Sequence, residues 1–523
     1  MTHIKRMNLK FLTNRQVLLW AIEVVIAIVL ALLINAFVSG VIIKRNSGYC
    51  GIVLWVAVCL IGLCLYNLRT VAIKKMEIIF ATVALVLGIF YISVSPATVG
   101  VSWDDEIHYG RTVTLVSFIS GGTYYYADED QITSYQSTIA SYTDEQKSGF
   151  SRENRRSMSE RMNGEYEQKT KGNNPQRYVS FFAIAYIPSV IGITIGRIFK
   201  LSWVSCFNLG RLFNLFSYVT VITLAIRRTK TGKLLCTLIG LIPTSIFMAA
   251  SYSYDPWVIS WTILGFVEFF NLVTDNEIKI KKKQWIKMLI IFTIGFLPKM
   301  VYVVALFPLL FVQSDRFESK KDAYVLKVSV IVVAIILAVT YIGPEMIRGT
   351  LAAGDLRGGS NVSTSGQIHF MLTNPRNAAI VIMNFFIQYA GLSTGNYTQL
   401  YAYLGSGYFD VLILITLCLI VVLEGDSESR LPNNIRITGI IGVIFGVLVV
   451  ILSLYLSFNP VGSQTIAGVQ NRYLFPLFFP LGYYLMPAVV KVKSENERLA
   501  VYSIAFFALT FIYNIYSLCI RYY

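Results

Sequence analysis

The chain has 523 residues, 55% of them hydrophobic and only 14% charged, with a mean hydropathy of +0.60. A water-soluble domain of that size needs more polar surface, so the composition indicates a multi-spanning membrane protein. The net charge of +16 does not argue for nucleic acid as a partner, because the basic residues lie in short loops between apolar segments, as cytoplasmic loops do.

A membrane span needs roughly 20 apolar residues. In chain order the apolar segments are 16–43, 50–67, 77–95, 204–226, 233–251, 256–273, 324–343, 408–424, 436–457, 472–490 and 499–519, while 284–313 reads as two short helices folded around Pro298. The fold class expected is therefore all-α and polytopic, with about 13 transmembrane helices, interfacial helices and a large first outer loop. Lys5, Arg6, Lys10 and Arg15 place the N-terminus in the cytoplasm, and the first apolar run is too long for a signal-peptide core. The seven cysteines fall mostly in or beside apolar segments and form no CxxC pair, so they read as small core residues.

The charges set the organisation. Residues 1–95 are N-terminal transmembrane helices, and 96–203 form an extracytoplasmic loop with an acidic motif and an interfacial helix. Residues 204–343 are central transmembrane helices, 344–407 a second outer loop with a re-entrant or interfacial helix, and 408–523 C-terminal transmembrane helices. Residues 96–176 carry 12 acidic and 8 basic side chains, whereas the inner loops are basic. Segments 177–199 and 377–391 are taken as interfacial or re-entrant, because a full crossing at 177–199 would put "RRTKTGK" (227–233) outside. Residues 123–175 are polar and read either as a partly helical lid or as an inert loop.

Charged residues at membrane depth are costly and mark function. Asp104, Asp105, Glu106 and His108 crowd the start of a helix directly after an apolar segment. Acids there favour the positive end of the helix dipole, but at a membrane surface they also serve proton transfer or cation binding. Asp104 and His108, four apart, share a helical face. Asp255 in "SYSYDPW" reads as an N-cap before Pro256, or as a site residue. Lys299 sits within an apolar hairpin with Tyr302 on its face, and either snorkels or meets an anion. Arg472, in "GVQNRYLFPLFFP" with Gln470 and Tyr473, either anchors to headgroups or grips a phosphate with its planar fork. His369 and Arg357 fall in the second outer loop.

Five stretches together carry a resemblance: "DDEIHYGR", "NLGRLFNLFSYVTVITLAIRR", "SYSYDPW", "PKMVYVVALFPLLF" and "GVQNRYLFPL". They are similar, in order, to segments of the GT-C superfamily of membrane glycosyltransferases, nearest to a bacterial family of predicted multi-spanning membrane proteins of unknown function. The resemblance implies an integral-membrane glycosyltransferase of the bacterial plasma membrane, active on its extracytoplasmic side. It would move a sugar from a polyprenyl-phosphate donor to a cell-surface glycan acceptor. On that basis Asp104 or Asp105 is the base, and Glu106 and His108 support a metal or orient the acceptor. Lys299 and Arg472 hold the phosphate, with Asp255, Tyr302, Gln470 and Tyr473 around them. A divalent cation (Mg or Mn) on Asp105 and Glu106 is a possible addition. Alternatives are a polysaccharide polymerase or ligase, a lipid-linked glycan transporter or flippase, and a scaffold without chemistry.

Overall fold

The computed structural model describes residues 14–42, 48–122, 124–136, 151–167, 169–170, 181–274, 278–348, 359, 361–390, 397–402, 405, 407–425, 431–487 and 497–522. Arg357 and residues 426–430 and 488–496, parts of the loops expected to lie inside, are outside them.

The described residues are almost wholly helical. The first part comprises α1 (Asn14–Phe37), α2 (Gly48–Leu68), α3 (Met76–Val94), α4 (Asp105–Ile119), α5 (Tyr126–Gln136) and α6 (Arg152–Glu167). Next come α7 (Ile187–Ile198), α8 (Trp203–Arg228), α9 (Lys233–Gly240), α10 (Pro243–Ala249), α11 (Asp255–Thr274) and α12 (Lys282–Phe296). The rest is α13 (Lys320–Arg348), α14 (Thr364–Thr373), α15 (Pro375–Ala390), α16 (Asp410–Leu423), α17 (Asn433–Ser457), α18 (Phe475–Leu485) and α19 (Glu497–Tyr522). One antiparallel ladder joins β1 (Tyr124–Tyr125) to β2 (Lys169–Thr170).

Eight helices among the described residues are long and apolar enough to cross a membrane: α1, α2, α3, α8, α11, α13, α17 and α19. The protein is an all-α polytopic membrane protein. Several of the thirteen apolar segments are not single long helices, for a local reason. The run 233–251 breaks into α9 and α10, because Pro243 opens the second piece and supplies no N–H to the first. The run 284–313 breaks at Leu297–Lys299 into α12 and a 3-10 helix, Met300–Phe311, as the hairpin around Pro298 leads one to expect. Within 177–199 a 3-10 turn (Phe181–Tyr186) leads into the 12-residue α7, which is not among the eight.

α8 is the central post, packing against α3, α7 and α11. α7 approaches it closely at Gly192, where a Cβ would sit 2.3 Å from the carbonyl oxygen of Leu209. α5 and α6, from the polar segment 123–175, fold over the start of α8 and share a small core with α4 and α7 that includes Tyr109, Met162, Trp203 and Tyr252. Buried Asp128 ties this layer down, accepting hydrogen bonds from Tyr109 Oη (2.6 Å) and Trp203 Nε1 (3.0 Å) and pairing with Arg197. From α6, Arg155 donates to the carbonyls of Ser93 (3.1 Å) and Val94 at the end of α3.

Two polar clusters mark opposite ends of α11. Near its C-terminus Glu268 pairs with Arg228 of α8 and with Lys287 of α12 (2.8 Å). Its first residue, Asp255, belongs to the other end, about 20 Å away along the helix axis.

Two expected outcomes follow. Gly192→Ala forces α7 off α8 and should cost roughly 1–3 kcal/mol, read as a lowered thermal midpoint of purified protein. Gly62→Ala, where nothing lies within 4 Å of the added Cβ, should leave the midpoint in place. For topology, with the reactive native cysteines replaced, Lys230→Cys should resist a membrane-impermeant thiol reagent in intact cells while Gln464→Cys reacts. Labelling of position 230 from outside would reverse the assignment of 177–199.

Candidate functional site

α8 fixes the two loops that carry the first acids. Fully buried Arg211 donates from Nη1 to the carbonyl of Pro96 and from Nη2 to that of Thr98, both at 2.9 Å. Three residues on, on the same face, Asn214 Nδ2 donates to the carbonyls of Ser251 (2.8 Å) and Ser253 (3.3 Å). Gln131 of α5 holds the first loop from the other side, its Oε1 accepting from Val99 N (3.1 Å) and Thr98 Oγ1 (3.0 Å).

The adjacent acids then separate. Asp105 is fully buried and turned back into its own loop: Oδ1 accepts from Gly100 N (2.6 Å) and Oδ2 from Ser102 N (3.0 Å). Burial pushes its carboxyl up to about 7, although those two N–H groups and the Arg211 charge pull the other way. Such a value suits a general base, but the geometry does not, because both oxygens are engaged in holding the loop. In this arrangement Asp105 holds its own loop, and Asp104 is the acid left at the rim. Asp104, the residue before α4, adopts a left-handed backbone (φ 56°) that turns its side chain away from capping the helix. Its side chain is 39% exposed. Glu106 is buried within α4.

Asp104, Asp255, Lys299 and Arg472 meet in one cluster. Arg472 lies in the 3-10 turn Asn471–Leu474, its side chain 2% exposed. Nη1 donates to Asp255 Oδ2 (2.8 Å), Nη2 to Asp104 Oδ2 (3.3 Å) and Nε to Gln470 Oε1 (2.6 Å). Lys299 Nζ lies 3.4 Å from Asp255 Oδ1 and 3.7 Å from the ring centre of Tyr473. Trp103 lies under the Arg472 guanidinium at 5.0 Å, and Tyr254 5.6 Å from Lys299. Cations over aromatic faces gain electrostatic stabilisation that water does not screen when the site is desolvated.

Two of these side chains have tasks that the sequence does not display. Asp255 is no N-cap, since it is itself the first residue of α11 and spends its carboxylate on the two cations. Tyr302 donates its hydroxyl to the carbonyl of Tyr473 (2.8 Å), so it braces the Arg472 turn rather than facing a ligand. Tyr389 of α15, unflagged in the sequence, does the same at Gln470 O (2.9 Å). His369 is exposed on α14.

His108 is buried beside the cluster, its ring 4.8 Å from that of Tyr254. Its Nδ1 lies 2.8 Å from Tyr186 Oη, to which Arg111 Nη1 also donates at 3.3 Å. Burial pushes the imidazole down to about 3, so it is neutral at physiological pH. Trp103, Tyr186 and Tyr254 escape sequence reasoning, because aromatic residues beside apolar runs are the rule at membrane interfaces.

Asp105 and Glu106 are the carboxylates that would hold a divalent cation, and both are buried. Each Asp105 oxygen accepts one backbone N–H, and among the described residues no three His, Cys, Asp or Glu side chains gather where they could hold a metal ion. The positive charge of the site is that of Arg472 and Lys299.

The acids differ in expected effect on stability. Asp255→Ala takes from Lys299 its carboxylate and leaves Arg472 only the looser Asp104, and breaking a buried pair costs roughly 3–5 kcal/mol. Asp105→Asn replaces one acceptor by a donor against a backbone N–H and should also lower the thermal midpoint. Asp104→Asn, at the exposed rim, should leave it within about a degree or two of the wild type. A fall for Asp104→Asn as large as for Asp105→Asn would remove the distinction between them.

No curated protein and no solved structure matches the chain. One family model does, over residues 85–481, which takes in the whole cluster and more than half of the sequence. The chain belongs to that family, DUF2142, described as a predicted membrane protein.

Proposed function

We propose that the protein is an integral-membrane glycosyltransferase that moves a sugar from a polyprenyl-phosphate carrier to an extracytoplasmic cell-surface glycan in the bacterial plasma membrane. The observation that carries this reading is the meeting of a rim carboxylate, Asp104, with two cations, Lys299 and Arg472, on an aromatic floor. Transfer from a sugar phosphate needs a proton acceptor for the attacking hydroxyl and cations for the departing phosphate in one site. It also supports placing this end of the protein at the outer face, with the Arg228 and Lys287 end inside.

In the proposed reaction the acceptor hydroxyl oxygen bonds to the anomeric carbon as the bond from that carbon to the phosphate oxygen breaks. The electron pair leaves with the carrier phosphate, and the hydroxyl proton passes to Asp104. Lys299 and Arg472 meet the charge growing on the departing phosphate. Arg472 is held hardest by Asp255 (2.8 Å) and more loosely by Asp104 (3.3 Å). A phosphate therefore competes with Asp104, not with Asp255, for Nη2. That exchange binds the donor and frees the base in one event.

General-base removal costs about a hundredfold to ten-thousandfold in rate. Asp104→Asn should lose transfer from a synthetic polyprenyl-phosphate sugar by that order while folding normally. Arg472→Lys keeps charge but loses the fork, so it should also lower transfer at limiting donor. Wild-type rates in both variants would sink the proposal. A deletion strain that loses a whole surface polymer rather than one sugar substituent would favour a polymerase or flippase.

A further inference from the structure

We infer that Tyr186, held by Arg111, fixes the tautomer of His108, so that His108 enters the site as a neutral hydrogen-bond donor through Nε2 and not as a base. The inference rests on the proposed site but not on the reaction assigned to it.

The argument is one of hydrogen-bond direction. The Tyr186 hydroxyl has one proton to give and lone pairs to receive. Arg111 Nη1 can only donate, so at 3.3 Å it occupies a lone pair of Tyr186 Oη. Tyr186 is 3% exposed, and the ring nitrogen of His108 at 2.8 Å is the acceptor in reach for its proton. Were Nδ1 to carry a proton instead, the hydroxyl would receive two donors and keep its own proton without an acceptor in a buried setting. Leaving such a group unpaired costs on the order of 1–3 kcal/mol. Nδ1 is therefore the acceptor, and the proton of the neutral ring sits on Nε2, on the other edge. No described residue accepts it there.

The ring's charged surroundings are Asp104, Arg111, Asp255 and Arg472, the residues of the cluster and its neighbour. A fixed Nε2–H offers a hydrogen bond to an oxygen that arrives in that cluster: a hydroxyl of the acceptor or an oxygen of the sugar phosphate. It leaves Asp104 as the proton acceptor. Tyr186 and Arg111 are then positioning residues that act through His108. Tyr186 ends the 3-10 turn before α7, so the tautomer depends on how that segment docks on α4.

The test uses the whole protein in detergent, labelled with 15N-histidine. The chain has three histidines, and His3→Gln and His369→Gln variants assign the other two signals. At neutral pH His108 should show an unprotonated Nδ1 and a protonated Nε2. Tyr186→Phe, checked by thermal unfolding, should convert this to a tautomer mixture or to Nδ1–H. Arg111→Gln, which keeps the hydroxyl but weakens its bias, should shift it part way. An Nδ1–H or imidazolium signal in the wild-type protein overturns the inference, and so does a folded Tyr186→Phe variant with an unchanged tautomer. If Tyr186→Phe does not fold, the wild-type spectrum decides alone. Because the spectrum needs no donor, the two readings fail separately. The inferred tautomer without sugar transfer would count against the transferase only, and transfer with the opposite tautomer against this inference only.

Discussion

A guanidinium buried in apolar protein is costly unless it is paired or hydrogen-bonded, and the Arg472 side chain is only 2% exposed. Its partners, Asp255 and Asp104, are 217 and 368 residues away in the chain. Satisfying that one cation therefore fixes the start of α11, the start of α4 and the turn before α18 against one another. Lys299 joins through the same Asp255, which brings in the break between α12 and its 3-10 continuation. Four charges that would each be costly alone compensate one another, two positive and two negative. The aromatic rings of Trp103, Tyr254 and Tyr473 line the cluster because cations tolerate a ring face better than an aliphatic one.

A cluster of this kind needs rigid approaches, and one turn of α8 supplies them. Arg211 and Asn214 take up carbonyls of the two non-helical stretches that deliver Asp104 and Asp255. Loop carbonyls buried among helices would otherwise lack partners, and the side chains that satisfy them also set where the acids stand. Asp105 completes this by accepting the N–H groups of Gly100 and Ser102. The loop 96–104 is thus bound by its own next acid, by α8 and by α5, and Asp104 projects from a backbone with little freedom to adjust.

Much of this was legible because the chain is so apolar. In a sequence with 14% charged residues, an acid or base at the edge of an apolar run is informative. Asp104, Asp255, Lys299 and Arg472 could be named on that ground and are the four that meet. The division of labour between Asp104 and Asp105 could not be read. Neighbours in sequence, they differ only through a left-handed residue and a folded-back loop that leave no local signature. Arg211 and Asn214 stood in a stretch noted for resemblance, yet their task is with backbone carbonyls, which sequence does not display. Pro243 was a visible breaker, but average hydropathy runs across it, so 233–251 looked like one crossing. Tyr302 failed differently: its position on the Lys299 face was right, and only its hydroxyl was aimed elsewhere.

The zero net charge of the cluster bears on what it can bind. An anionic ligand that simply added to it would face two carboxylates at close range, and desolvated like charges repel strongly. Accommodation is easiest if the ligand replaces a carboxylate instead. The replaceable one is set by burial and distance: Asp255 is 9% exposed and touches both cations, whereas Asp104 is 39% exposed and holds one nitrogen at 3.3 Å. A carboxylate parted from its guanidinium is a stronger proton acceptor than a paired one. On the proposed reading, the arrival of a carrier phosphate therefore makes Asp104 a better base at the moment a donor is present to use it. The same reasoning disfavours proton abstraction in the absence of donor, because Asp104 is then engaged with Arg472. A site with one buried and one exposed carboxylate on a single arginine has this coupling built into its electrostatics, with no moving domain required.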